Sequence, residues 1–233
     1  MMNKNFKIAI IPARVGSIRL PNKNIKILYG KPAIAWTILK LKKCKIFNEI
    51  YVSTDSKKIA SISNKYGAKV PFFRNKKLSN NKTNTQEVVV DMLKYLKKKK
   101  IKMDSVCCVY PTAFNLNIKD IKKAYKKLNS SSKFVFVASK FNKLPQRGFY
   151  IDKKCKIKMM MPNFFKYRTQ DLKPVYFDVG QFYWAKTNHW IKNKLKFDSS
   201  CTTVSIPNWR AQDIDTLEDW IKAKEIFRKL RRK

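Results

Sequence analysis

Residues 6–11 are a run of β-forming side chains, apolar apart from Lys7. A strand without polar alternation must have both faces covered, and helices on either side of a parallel sheet provide that cover. The requirement recurs along the chain. After Gly30-Lys31-Pro32, the segment 33–44 (AIAWTILKLKKC) has helical periodicity with Pro32 near its first turn, and EIYVSTD at 49–55 is a second strand. Residues 56–66 repeat a helix that Gly67 ends, and KVPFF at 69–73 reads as a short third strand. Helices are expected over 85–100 and 117–128, with strands at 105–110, 134–138, 180–185 and 202–206. A terminal amphipathic helix spans 216–230.

Strands and helices alternating at this spacing build βαβ units, so the fold class is α/β, a single doubly wound, mostly parallel sheet. Ligands of such sheets sit beyond the carboxyl ends of the strands, which places the loops after Pro12, Thr54, Phe73 and Pro111 on one rim. Residues 140–176 break the pattern, mixing charged and aromatic side chains around Met159, Met160 and Met161. They read as an excursion that contacts a partner subunit rather than as a lid.

Composition narrows the function. The formal net charge of +38 is the footprint of a nucleic-acid binder, yet of 53 basic residues only nine are Arg, and the 44 Lys spread along the whole chain. Such a Lys excess reads as a compositional bias, and an Arg that survives it marks a place where a planar, two-pronged donor is required. Five Cys without C-x-x-C spacing suggest neither a disulfide frame nor a zinc knuckle. The one His, His189, cannot build a multi-histidine metal site and is placed on a loop before Trp190. The apolar stretch at the start is too short for a signal peptide and stops at Pro12, and no stretch approaches the ~20 apolar residues of a membrane span. A soluble, cytoplasmic protein is expected, with no nucleic-acid or membrane partner. The basic tail RKLRRK reads as solvated.

The loop 13–24 carries Arg14, Arg19 and Lys23 with Gly16 and Ser17 between them. Glycine lets backbone amides approach a polyphosphate, and the cations neutralise its charge. The spacing fits neither G-x-G-x-x-G nor the P-loop. Near the other end, Asp213-Ile214-Asp215 places two carboxylates on one side of an extended segment, as a magnesium site would need; Asp215 could equally cap the last helix.

IIPARVGSIRLPNKN, GKP, VSTDSKKIASISNKYGAKVPF, YPT at 110–112, RTQDLKPVYFDVGQFYW at 168–184 and QDIDTLEDW at 212–220 follow in order over nearly the whole chain. Together they resemble the CMP-sugar-acid synthetases, cytidylyltransferases of neuraminate, pseudaminate and ketodeoxyoctonate. Gln146-Arg147, the R-x-Q-D-L block and the GQFYW strand look most like the pseudaminate branch. The resemblance implies one domain over 1–233 with a Rossmann-like nucleotidyltransferase fold, a dimer joined through 140–176, and CTP and an acidic nine-carbon sugar as substrates. It implies that Ala13, Arg14, Gly16, Ser17, Arg19, Lys23, Asn24, Arg74, Pro111 and Thr112 hold the nucleotide. Arg14 and Lys23 would take the triphosphate, Asn24 the ribose and Arg74 the cytosine region. Asp213 and Asp215 would bind magnesium, with Arg14, Lys23 and Asp215 as the catalytic set. Arg147 and Arg168 would meet the sugar carboxylate, with Gln146, Gln170, Asp171, Asp178 and Gln181 as polar contacts in a site that the excursion 140–176 helps to form. Three readings remain open at this point. An enzyme releases pyrophosphate from CTP, a degenerate homologue binds CTP without turnover, and a basic nucleic-acid protein is indifferent to it.

Overall fold

A computed structural model describes residues 6–128, 132–192 and 195–231. Residues 1–5 of the apolar start and 232–233 of the basic tail therefore lie outside the described residues. In chain order the elements are β1 (Lys7–Pro12), the short pair β2 (Ile27–Leu28) and β3 (Lys31–Pro32), α1 (Ala33–Cys44), β4 (Glu49–Ser53), α2 (Lys57–Lys65) and α3 (Thr85–Lys98). Then come β5 (Ser105–Val109), α4 (Ile118–Lys127), β6 (Phe134–Lys140), the hairpin β7 (Phe149–Ile151) and β8 (Ile157–Met159), β9 (Tyr176–Lys186), α5 (Thr187–Lys192), β10 (Cys201–Ile206) and α6 (Leu217–Arg231).

Six strands form one sheet in the order β10-β6-β9-β5-β1-β4. β1 is parallel to β4 and β5, and β6 is parallel to β10. β9 runs antiparallel to both of its neighbours, β5 and β6. In β1, Ile8, Ala9, Ile10 and Ile11 are all fully buried, as an all-apolar strand requires. Their side chains alternate between the two faces of the sheet. Ala9 and Ile11 join a core with Ile34, Ile38 and Leu41 of α1 and Ile121 and Ala124 of α4. Ile8 and Ile10 join a second core with Val89, Met92, Leu93 and Leu96 of α3. Each of these isoleucines contributes about 1.5–3 kcal/mol by leaving water.

Three sequence expectations need correction. Residues 69–73 do not form a strand: only isolated bridges from Tyr51 to Lys69 and from Thr54 to Phe73 are made. Pro71 lies between them and has no N–H to give a ladder. His189 lies in α5 rather than on a loop. The strand expected at 180–185 is longer, Tyr176–Lys186, and is the antiparallel member of the sheet. The excursion leaves at the end of β6 and returns at the same end, so the returning strand must run backwards along it.

β9 serves two registers. Beside β6 the pairing jumps from Phe136↔Tyr183 to Ala138↔Asp178, so that Val137 faces residues 179–182. The bulge places Gly180 at φ +65°, a left-handed conformation that costs an L side chain roughly 1–2 kcal/mol.

α3 starts at a capping box: the Asn84 side chain accepts from Glu87 N–H at 2.9 Å and the Glu87 carboxylate accepts from Asn84 N–H at 3.0 Å. Asn84→Ala should lower stability by about 1 kcal/mol with an unchanged denaturant slope, measured by urea unfolding.

Candidate active site

A cavity of about 510 Å3 opens beyond the carboxyl ends of β1 and β5 and is lined by Pro12, Arg14, Ser17, Ile18, Arg19, Lys23, Asn24, Asn81, Tyr110, Pro111, Thr112, Asp213 and Asp215. Residues 200 positions apart meet here because Leu20, in the basic loop, packs in a satellite core with Ile214 of the Asp-Ile-Asp segment and Trp220 and Phe227 of α6. That contact sets the loop's cations against the segment's carboxylates. Arg19 lies 2.6 Å and Lys23 2.9 Å from the two oxygens of Asp215, and Lys23 Nζ also donates to Ile214 O at 2.7 Å.

The alternative of Asp215 as a helix cap is not what forms. Asp219 accepts from the backbone N–H groups of Asp215 and Thr216, and Thr216 Oγ1 accepts from Asp219 N–H, so this pair closes the start of α6. Asp213 and Asp215 are thereby free to face the cavity together. Asp213 sits between the cavity walls, and partial desolvation, followed by repulsion from Asp215, raises its pKa above the usual carboxylate range. Among the described residues, no group of three or more His, Cys, Asp or Glu is placed to hold a metal ion. These two carboxylates are the hard oxygen donors of the cavity.

Asn24 is buried with its Nδ2 donating to Arg14 O at 2.9 Å, while its Oδ1 has no partner. Arg14 donates to Asn81 Oδ1 across the loop. Arg74 is buried and does not line the cavity: its N–H donates to Thr54 O at 2.8 Å and its Nε to Ser79 Oγ at 3.2 Å, and one terminal nitrogen is left without a partner. Thr37 Oγ1 donates to Pro111 O at 2.9 Å, fixing the turn after β5. Ala13 is buried at the end of β1, and Gly16 lies beside the Arg14 guanidinium; neither lines the cavity.

The seven residues expected around the sugar lie outside the cavity lining. Arg147 donates to Phe165 O at 3.1 Å and to Tyr167 O, so its guanidinium folds the excursion. Arg168 pairs with Asp171 at 2.9 Å, and both are exposed with Gln170 on the excursion. Gln146 donates to Lys173 O at 2.9 Å and keeps a buried, unpartnered Oε1. Gln181 donates to Arg210 O at 3.1 Å, and Arg210 pairs with Asp120 at 2.7 Å in a largely buried contact. Asp178 accepts from Gly180 N–H at 3.1 Å and from Tyr183 OH. Burial raises its pKa, and those two bonds oppose the rise.

Pro12, Ile18, Asn81 and Tyr110 line the cavity and are not among the site residues assigned from the sequence. Tyr110 could be found from its place at the end of an apolar strand; its OH meets Thr85 Oγ1 at 3.0 Å and burial pushes its pKa up to about 12. Asn81 carries no local signal, since its partner Arg14 is 67 residues away.

The model of a family described as "Cytidylyltransferase" matches residues 8–159. A pseudaminic acid cytidylyltransferase of Campylobacter jejuni subsp. jejuni serotype O:23/36 is 37% identical over 222 residues, covering 95% of this chain and 96% of that one. A CMP-N,N'-diacetyllegionaminic acid synthase of Legionella pneumophila is 34% identical over 228 residues, covering 94% and 95%. Among solved structures, a CMP:2-keto-3-deoxy-manno-octonic acid synthetase complexed with CTP shares the fold, with TM-score 0.71 at 14% identity and 97% and 99% of the two chains covered. A 4-diphosphocytidyl-2C-methyl-D-erythritol synthase of Anaerococcus prevotii has TM-score 0.63 at 17% identity, covering 97% and 100%. With that model spanning most of the chain, and two relatives above 30% identity along nearly its full length, the chain belongs to the cytidylyltransferase family, enzymes of nucleotidyl transfer.

Proposed function

We propose that this enzyme transfers CMP from CTP to pseudaminic acid and releases pyrophosphate. The observation that carries the reading is one cavity at the end of β1 in which Arg14, Arg19 and Lys23 stand opposite Asp213 and Asp215. The relatives named for pseudaminic acid support the choice of sugar. The anomeric hydroxyl attacks the α-phosphorus of CTP; the new O–P bond forms as the bond to the pyrophosphate oxygen breaks. No covalent enzyme intermediate is involved.

Arg14, Arg19 and Lys23 bind and orient the triphosphate, and their charges oppose the negative charge that builds on the departing pyrophosphate. The unpartnered Oδ1 of Asn24 is an acceptor for a ribose hydroxyl, and Arg74, which also keeps an unpartnered terminal nitrogen, is the candidate for the cytosine region. Asp213 and Asp215 fit a magnesium ion, because two crowded carboxylates in a walled cavity are stabilised in their ionised form by a hard cation. When bound, magnesium would neutralise phosphate charge and act as a Lewis acid. Gln181 and the excursion residues Gln146, Arg147, Arg168, Gln170 and Asp171 remain the candidates for the sugar side, whereas both Asp178 oxygens are taken up within β9.

The excursion exposes Phe149, Tyr150, Ile151, Ile157 and Phe165, with Phe165 69% exposed. A second copy of this chain covers it in the reading adopted here, giving a homodimer. No described helix is long and apolar enough to cross a membrane, and a cytoplasmic location suits substrates of this kind.

The decisive assay is magnesium-dependent pyrophosphate release from CTP with pseudaminic, legionaminic, N-acetylneuraminic and ketodeoxyoctonic acids in parallel. Turnover should be fastest with pseudaminic acid, and preference for another acid would reassign the sugar. Asp215→Ala and Lys23→Ala should each lower kcat by roughly 10²–10³-fold, whereas binding of CTP without turnover on any acid would replace the enzyme reading by a degenerate homologue. Ile157→Asp combined with Phe165→Asp should give a species of 27.5 kDa by light scattering where the unmodified protein gives twice that mass; an unmodified protein that is already monomeric sinks the dimer.

A further inference from the structure

We propose that Asp178 and Tyr183 are positioning residues: together they clamp the bulge of β9, and the clamped backbone at Gly180 holds Asp213 and Tyr110 in the cavity wall. The role rests on the transfer reaction proposed above.

β9 must satisfy two neighbours with different registers. On the β5 side the pairs run without a break to Val109↔Phe182, and Tyr110 N–H continues them to Gln181 O at 2.9 Å. On the β6 side the ladder is interrupted, with Val137 facing residues 179–182. Backbone bonds therefore hold only one edge of this stretch, and Gly180 sits there at φ +65°. The other edge is closed by side chains. One oxygen of Asp178 accepts from Gly180 N–H at 3.1 Å, and the other accepts from Tyr183 OH. Both oxygens are used within the bulge, by residues no more than five positions away.

The clamp reaches the site on two routes. A Cβ built on Gly180 would lie 3.4 Å from Asp213 Oδ2 and 3.6 Å from Tyr110 Cε2, so the bulge backbone backs both groups. The Tyr183 ring also stands edge-on to Tyr110 with centroids 5.9 Å apart, and Tyr110 OH is fixed from the opposite side by Thr85 at 3.0 Å. Tyr110 and Asp213 line the cavity, whereas Asp178 and Tyr183 do not. Their geometry makes them supports of the wall rather than parts of it.

Two substitutions separate this role from a direct one. Tyr183→Phe keeps the ring and the Asp178 charge but removes the clamp. Asp178→Asn removes the charge yet still accepts from Gly180 and donates to the tyrosine oxygen. With CTP and pseudaminic acid, Tyr183→Phe should lower kcat about ten-fold or more, the scale expected of a slightly misplaced site, while the KM for CTP stays within about two-fold because the cationic loop is untouched. Asp178→Asn should retain several-fold more activity than Asp178→Ala. Independently of turnover, amide hydrogen exchange at Gly180 and Tyr110 should accelerate in Tyr183→Phe, and manganese binding in the presence of CTP should weaken.

Equal losses in Asp178→Asn and Asp178→Ala would overturn the proposal in favour of a charged contact to substrate or metal. So would wild-type kcat and exchange in Tyr183→Phe. Should Tyr183→Phe fail to fold, the Asp178 pair and its exchange rates decide. A wild-type protein silent with every sugar acid sinks the transfer reaction, whereas the exchange rates still report whether the clamp exists.

Discussion

The antiparallel pairing of β9 is the constraint on which the remainder of the sheet depends. It lies between β5 and β6, so the parallel half β4-β1-β5 and the parallel pair β6-β10 meet only across it. Its pairing with β5 brings the cavity wall at Tyr110 against Gln181, and its pairing with β6 anchors both ends of the excursion. A parallel strand in this place would need a long crossover. The antiparallel strand instead lets the chain leave the sheet, make its detour and return beside itself.

Charge is organised on a finer scale than the net +38 suggests. In a chain with 44 Lys, several of the surviving Arg side chains are held by partners within the fold. Arg210 meets Asp120 in a largely buried pair, Arg147 spans two carbonyls, Arg19 meets Asp215, and Arg74 is buried with its Nε on Ser79 Oγ. Two of the scarce carboxylates, Asp213 and Asp215, face the cations of a single cavity.

Much of this was legible in the sequence because it is local. The helix read over 33–44 is α1 residue for residue, since its periodicity and the proline before it are written within one segment. The basic loop and the Asp-Ile-Asp pair converge as expected because a parallel sheet gathers its loops on one rim. What was not legible is long-range. Pro71 broke a strand that composition favoured, and the direction of β9 depended on where the excursion returns. Tyr183 falls within the strand read over 180–185, and it is buried, but its hydroxyl reaches a carboxylate across a bulge that no periodicity announces. The resemblance implied a sugar carboxylate for Arg147 and Arg168; their guanidinium groups meet backbone carbonyls and a neighbouring Asp, partners that no sequence pattern announces.

The two ends of the excursion are hydrogen-bonded neighbours, with Lys140 paired to Tyr176 and Phe141 N–H donating to Val175 O at 3.0 Å. A detour whose entrance and exit are already stapled together adds little closure entropy as it grows or shrinks, because that cost rises only with the logarithm of its length. Such a point in a fold is open to evolutionary remodelling: the hairpin can be lengthened, trimmed or resurfaced while the sheet and its cavity keep their shape.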